Sequence, residues 1–291
     1  AELYQVVARD PEIVEKFARG TPTDWLERNV YSKHRNWGII LLVLTDLVLF
    51  GGPGIIVIAA QLIAMPLFAA GVINGLGHHS GYRNYECPDA ATNIVPWGIV
   101  IGGEELHNNH HAFPSSAKFS TQPWEFDIGW LLIRILSAVG LAEVVRVAPA
   151  PAQVAPRKHI DLDTVRAVIV NRMHVLRGYT RDVTLPVFRS EIRSAGGQLT
   201  RRIRKLLVRQ PKLLDASAHQ ELDAVLARNT ALKTVHDFRE RLAVLWSGTS
   251  QMSNETLLQH LREWIAHAEA SGIKVLQDFA ASLRGYAVAT A

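Results

Sequence analysis

The sequence predicts an all-α protein: a membrane helical hairpin, a cytosolic helical cap carrying a His-rich metal site, and a helical C-terminal extension. Three observations predict this. A nearly uncharged apolar run fills residues 37–74, five of the 12 histidines fall between positions 78 and 111, and helical periodicity without strand alternation occupies everything beyond an Ala/Pro-rich segment. At 291 residues with a single cysteine, the chain is large enough for a real core and cannot carry an intramolecular disulfide framework. Its composition, 48% hydrophobic and 20% charged, excludes global disorder.

Residues 1–36 are polar to amphipathic, with Val14, Phe17 and Ala18 at helical spacing and Thr23-Asp24 placed to cap a turn ahead of Trp25-Leu26. Solvent-facing helix and loop are expected there. The apolar run then supplies two spans, about 37–52 and 54–74, separated by the turn Gly51-Gly52-Pro53-Gly54. Asp46 is the one ionised side chain in the run and sits where charge is expensive. Arg28, Lys33, His34 and Arg35 precede the first span and Arg83 follows the second, whereas the turn is uncharged. The positive-inside rule therefore places both outer ends in the cytoplasm, with Trp37 and Trp97 near the interface. A fully buried soluble hairpin is the alternative.

Residues 75–146 mix polar and apolar character, and Ile128–Leu141, interrupted by Arg134, reads as an interfacial or packing helix. Residues 148–156 form a stiff Ala/Pro linker, which divides the chain into domains 1–147 and 157–291. The charge changes there too: residues 1–156 carry 10 Lys+Arg against 14 Asp+Glu, net −4, and residues 157–291 carry 21 against 13, net +8.

Beyond the linker, Leu232, Val235, Phe238, Leu242 and Leu245 form one helical stripe. Leu257, Leu258, Leu261 and Ile265 form a second, and Ile273, Leu276, Phe279 and Leu283 a third. Arg201, Arg202, Arg204, Lys205, Arg209 and Lys212 cluster opposite Ile203, Leu206 and Leu207. Such a surface suits anionic lipid or an acidic electron-donor protein, or is simply solvated. Without aromatic interleaving or a recognisable motif, nucleic acid is not an expected partner.

The chemistry lies in the histidines. In His107-Asn108-Asn109-His110-His111 the imidazoles occupy i, i+3 and i+4, one face of a helix, and Asn74 and His78 are likewise i and i+4. Clustered imidazoles without partner cysteines point to a transition-metal site rather than a Cys-based structural zinc. Glu104, three residues before His107, is placed to orient that ring through its second nitrogen.

Asn74-Gly-Leu-Gly-His78, Asn93-Ile-Val, Gly103-Glu-Glu-Leu-His-Asn-Asn-His-His-Ala-Phe-Pro114 and Val139-Gly-Leu-Ala142 together resemble the C-terminal half of membrane fatty acyl desaturases of the stearoyl-CoA (delta-9) type. The resemblance covers roughly residues 1–147; the remainder is loosely similar to the C-terminal extension of some proteobacterial desaturases. It implies two irons held by histidines from three boxes plus an isolated one. Carried over, His107, His110 and His111 are the third box, His78 is the isolated ligand, and Asn74 reaches iron through water. No HxxxxH and no second HxxHH precedes Asn74, so the first two boxes and the first pair of membrane helices are lacking.

The resemblance further implies an O2-dependent enzyme introducing a cis double bond into an acyl-CoA or phospholipid-bound chain. Electrons would come from NAD(P)H through a reductase and a ferredoxin- or cytochrome-type carrier. A multi-pass bacterial cytoplasmic membrane protein with its metal site facing the cytoplasm is expected. With Ala1 at its start, the chain reads as part of a longer enzyme, inactive as an isolated fragment. The alternatives are a di-iron hydroxylase of the same superfamily and a non-catalytic membrane remnant with a binding tail.

Overall fold

The computed structural model describes residues 10–17, 24–34, 36–154, 159–194, 200–247 and 252–287. Ala1, Ala18, Thr23, Arg35 and the linker end at 155–156 lie outside the described residues. The chain is mostly helical, as expected for an all-α fold, and divides into two compact units, residues 1–67 and 68–291.

In the first unit Asp10 Oδ1 accepts the N–H groups of Glu12 and Ile13, starting helix α1 (Pro11–Phe17). Helices α2 (Trp37–Phe50) and α3 (Gly54–Pro66) pack against each other across the Gly-Gly-Pro-Gly turn. A Cβ on Gly54 would lie 2.5 Å from the Asp46 carbonyl oxygen, so only glycine lets the two helices approach this closely. The Asp46 carboxylate is buried, and its Oδ2 has no hydrogen-bond partner among the described residues. Most of the large apolar side chains of α2 are exposed.

The helical path runs on from Gly54 to His79, 26 residues, with π-type winding over Leu67–Leu76 and a last α-turn, α4 (Gly77–His79). It exceeds the about 20 residues that cross a bilayer. At 14 residues, α2 reaches about 21 Å, short of a hydrocarbon core of about 30 Å. Gly51, at φ +60°, ends that helix early. Of the two expected crossings, one therefore has the length and composition to span a membrane among the described residues.

The second unit opens with the cap. Strands β1 (Trp97–Gly98) and β2 (Phe126–Asp127) pair in parallel and frame the short helix α5 (His107–Ala112). Helix α6 (Ile128–Ala138) starts where Asp127 Oδ1 accepts the Trp130 N–H, while its Oδ2 accepts those of Phe119 and Ser120.

The face of α5 opposite the histidines anchors it. Asn108 Oδ1 accepts the N–H groups of Asn84 and Tyr85, and its amide donates to the carbonyls of Tyr85 and Ala91. Asn109 accepts from the amides of Asn84 and Asn93 and donates to Glu125. Buried Glu125 also accepts from the Tyr82 hydroxyl, the Asn84 amide and the N–H groups of Thr121 and Gln122. Burial, then this carboxylate, holds the Tyr82 phenol above its ordinary pKa.

The Ala/Pro segment is tied down along its described length. Ala148 N–H donates to Ser116 Oγ, and strand β3 (Ala152–Gln153) pairs antiparallel with β4 (Tyr286–Ala287). Between these strands lie α7 (Leu162–Val170), α8 (Arg172–Tyr179), α9 (Leu185–Ser194), α10 (Arg201–Val208), α11 (Ala216–Ala227), α12 (Thr230–Ser247), α13 (Asn254–Glu269) and α14 (Lys274–Leu283). The stripes read from the sequence form their common core, with Leu258 and Ile273 at its edge. Tyr179 and Trp264 enter it with their polar atoms satisfied by the carbonyls of Val235 and Phe238.

This helical layer also grips the cap. Met173 packs with Tyr85, Cys87 and Ala112, and the His174 ring stacks on Phe113 at 5.2 Å. Arg177 donates to the Gln122 side chain at 2.8 Å, and Gln210 donates to the Glu86 carbonyl at 3.0 Å.

Two outcomes follow. Replacing Glu125 by Gln turns an acceptor into a donor among donors and should cost about 2 kcal/mol or more, read as a lowered thermal midpoint; an unchanged midpoint would contradict the anchoring role. In the helical core, burial lowers the pKa of His236, whose Nε2 has no partner among the described residues. Because the folded state binds this proton less readily than the unfolded state, its contribution is complete above about pH 6.5 and is lost as pH falls. The drop in thermal midpoint between neutral and mildly acid pH should shrink in His236→Gln; an identical drop would refute it.

Candidate metal centre

Three imidazoles converge where the end of the long helix meets α5. His107 Nε2 lies 3.1 Å from His78 Nε2 and 3.1 Å from His111 Nε2. The three rings could hold a metal ion, and among the described residues no other group of three or more His, Cys, Asp or Glu is close enough to do so. The i, i+4 spacing of α5 aims His107 and His111 to one side. Glycine supplies the remaining clearance: a Cβ on Gly77 would stand 3.2 Å from the His107 ring.

Carboxylates hold the outer nitrogens. His107 Nδ1–H donates to Glu104 Oε2 at 3.1 Å, and His111 Nδ1–H donates to Asp89 Oδ2 at 2.8 Å. The His107 bond, against the cost of burial, keeps Glu104 below the usual carboxylate range. For Asp89 burial is the largest single influence and opposes ionisation; the Ala91 N–H, His111 and Arg83 together outweigh it, so its pKa too is lowered. Both are therefore acceptors, and both rings are fixed with the proton on Nδ1. With both outer nitrogens engaged by carboxylates, the inner Nε2 atoms stand 3.1 Å apart, close enough for one cation to bind both.

The other sequence-chosen residues sit apart from this trio. The His110 ring packs on Phe119 with centroids 4.7 Å apart, and its centroid is 6.0 Å from that of His107. Its Nδ1 is buried without a partner among the described residues, and burial lowers its pKa. Asn74 is exposed and donates its amide to the Ala69 carbonyl at 2.7 Å, matching the π-type winding there. Glu105, the other half of the Glu-Glu pair, is buried and accepts the N–H groups of Ile99, Val100, Ile101 and Gly103.

Asp89 is the functional residue that sequence reasoning missed. It lies 22 residues before His111 in a Cys-Pro-Asp loop, and no spacing rule connects the two. Cys87, in the same loop, is buried, which pushes its thiol up to about 12, and it offers neither a ready thiolate ligand nor a nucleophile.

Comparison with known proteins gives two kinds of match. A stretch of 145 residues is 34% identical to Delta-9 acyl-lipid desaturase 1 of Arabidopsis thaliana, covering 48% of this chain and 47% of that protein. Over 77 residues it is 39% identical to the sn-1 stearoyl-lipid 9-desaturase of Anabaena variabilis, covering 26% of this chain and 28% of that protein. Over 81 residues it is 42% identical to the icosanoyl-CoA 5-desaturase of Limnanthes douglasii, covering 28% and 22%. Residues 161–290, in contrast, match a sequence family described as a transposase. Among the described residues of that region no three carboxylates or imidazoles come within metal-holding distance. No solved structure matches. The chain spans less than half the length of the curated desaturases it matches, and those relatives support a fatty acyl desaturase kinship.

Proposed function

We propose that this chain carries the histidine-bearing part of an oxygen-dependent di-iron desaturase that places a cis double bond in an acyl chain. The observation that carries the reading is the convergence of His78, His107 and His111, two of them backed by carboxylates, beside the end of an apolar helix long enough to cross a bilayer. Neutral imidazoles suit iron, and a carboxylate on the outer nitrogen is the usual support of a metal-bound histidine. The three rings would hold one ion. His110, with its buried unpartnered Nδ1, and Asn74, through water, are the proposed further groups of the two-iron site. The remaining ligands are not in this sequence, so the isolated chain is expected to be inactive.

Iron with O2 supplies the power to break an unactivated methylene C–H bond, which no side chain has. The chain's own residues set the geometry. Glu104 and Asp89 fix the tautomers of His107 and His111, and the Glu125 network fixes the helix that carries them.

Acyl-lipid and acyl-CoA desaturases among the relatives support an acyl lipid or acyl-CoA as substrate. The electron donor in this reading is a ferredoxin- or cytochrome-type protein fed by NAD(P)H. Exposed apolar side chains on α2, α3 and α6 suit a multi-pass protein of a bacterial cytoplasmic membrane. Basic residues at the outer ends of the hairpin suit a metal site on the cytoplasmic side.

Lipids from cells expressing the chain joined to a segment that supplies the remaining histidine ligands should gain acyl chains lacking two hydrogens, and His107→Ala in that longer protein should abolish them. Chains that instead gain one oxygen would transfer the protein to the hydroxylases, and an unchanged lipid profile would overturn both readings. In ferrous-iron titrations, Asp89→Asn and Glu104→Gln should each weaken binding by about 10–100-fold; undiminished affinity would contradict their orienting roles.

A further inference from the structure

A cleft of about 490 Å³ opens where the helical layer meets the cap, and its walls come from both. Glu86 and His111 line it from the cap, and Arg172, Lys212, Arg239 and Glu240 from the helices. His111 thus has the metal centre on one side and this cleft on the other.

Its electrostatics are lopsided. Arg83, Arg209 and Arg239 all act on the Glu86 carboxyl, against a burial that pushes its pKa upward. Arg239 is 2% exposed; two of its nitrogens are taken by Glu240 and the Val208 carbonyl, and its Nε has no partner among the described residues. Arg172 and Lys212 are exposed at the mouth, and neither forms an ion pair or hydrogen bond among the described residues. Asp89 lies behind His111 and is spent on its Nδ1–H. Three cations among the lining residues, Arg172, Lys212 and Arg239, therefore face two carboxylates, Glu86 and Glu240, in a concavity of small-molecule size. A narrow cleft with excess positive charge selects a compact anion over a flat macromolecular surface.

We propose that this cleft binds the phosphate-bearing head of the acyl substrate, with Arg172 and Lys212 as its rim and Arg239 as its floor. Resting on the desaturase reading, this gives the helical extension a task in it: holding the head beside His111. The phosphate ester comes from coenzyme A or from a phospholipid headgroup.

The test is calorimetric titration of the full, metal-free chain in detergent with three probes: coenzyme A, dihexanoyl phosphatidic acid and a short DNA duplex. One or both phosphate esters should bind, and Arg172→Gln with Lys212→Gln should weaken that binding by about tenfold or more at unchanged thermal midpoint. Coenzyme A alone would identify an acyl-CoA head, and the lipid alone a phospholipid head. Should the double variant be unstable, Lys212→Gln alone provides the same comparison. Binding of neither ester, binding that the variants leave intact, or binding of DNA only would overturn the proposal. Because no metal is present, failure of the histidines to take iron leaves this result standing, and failure here leaves the metal site standing.

Discussion

The structure depends on an electrostatic arrangement at one point. Glu104 and Asp89 hold the protons of His107 and His111 on their outer nitrogens, leaving inner nitrogens that stand 3.1 Å apart. A cation between the rings would bridge them, and with His78 they are close enough together to hold one. The backing carboxylates make the site directional, because they fix which nitrogen each ring presents.

Everything nearby serves to keep α5 in place. Its histidine face looks toward the end of the long helix, and its asparagine face is fastened to the 84–93 loop and to Glu125. Six residues of helix cannot hold themselves in register, since an isolated turn lacks the cooperativity of a long helix. The cap supplies what the helix lacks. The helical layer then closes over the cap through Met173, His174 and Arg177, so the transposase-like region is part of the same compact unit as the histidines. The residues that match the transposase family thus pack against the loops and short helix that carry the histidines.

Sequence patterning revealed what local rules govern. The stripes from Leu232 to Leu283 became core because helical period alone decides which face is apolar. The i, i+4 relation of His107 and His111 became a shared direction for the same reason. Tertiary packing decided the rest. His110 shares the helix face by spacing, yet its ring lies against Phe119. Glu104 was legible because it lies one turn from its partner, whereas Asp89 reaches His111 across 22 residues and Glu125 reaches Tyr82 across 43. The Ala/Pro segment reads as a stiff linker by composition, and the hydrogen bonds that its backbone makes at Ala148 and at Ala152–Gln153 come from partners no composition rule could name. Likewise the apolar run looks long enough for two crossings, and Gly51 stops the first helix at 14 residues.

The most direct measurement is X-ray absorption at the metal edge of the chain loaded with ferrous iron, in the native sequence and in His78→Ala and His107→Ala. This account expects a coordination shell dominated by imidazole nitrogen that loses nitrogen scatterers in each variant. A shell of oxygen ligands that is unchanged when either histidine is removed would show that the three rings do not grip the metal.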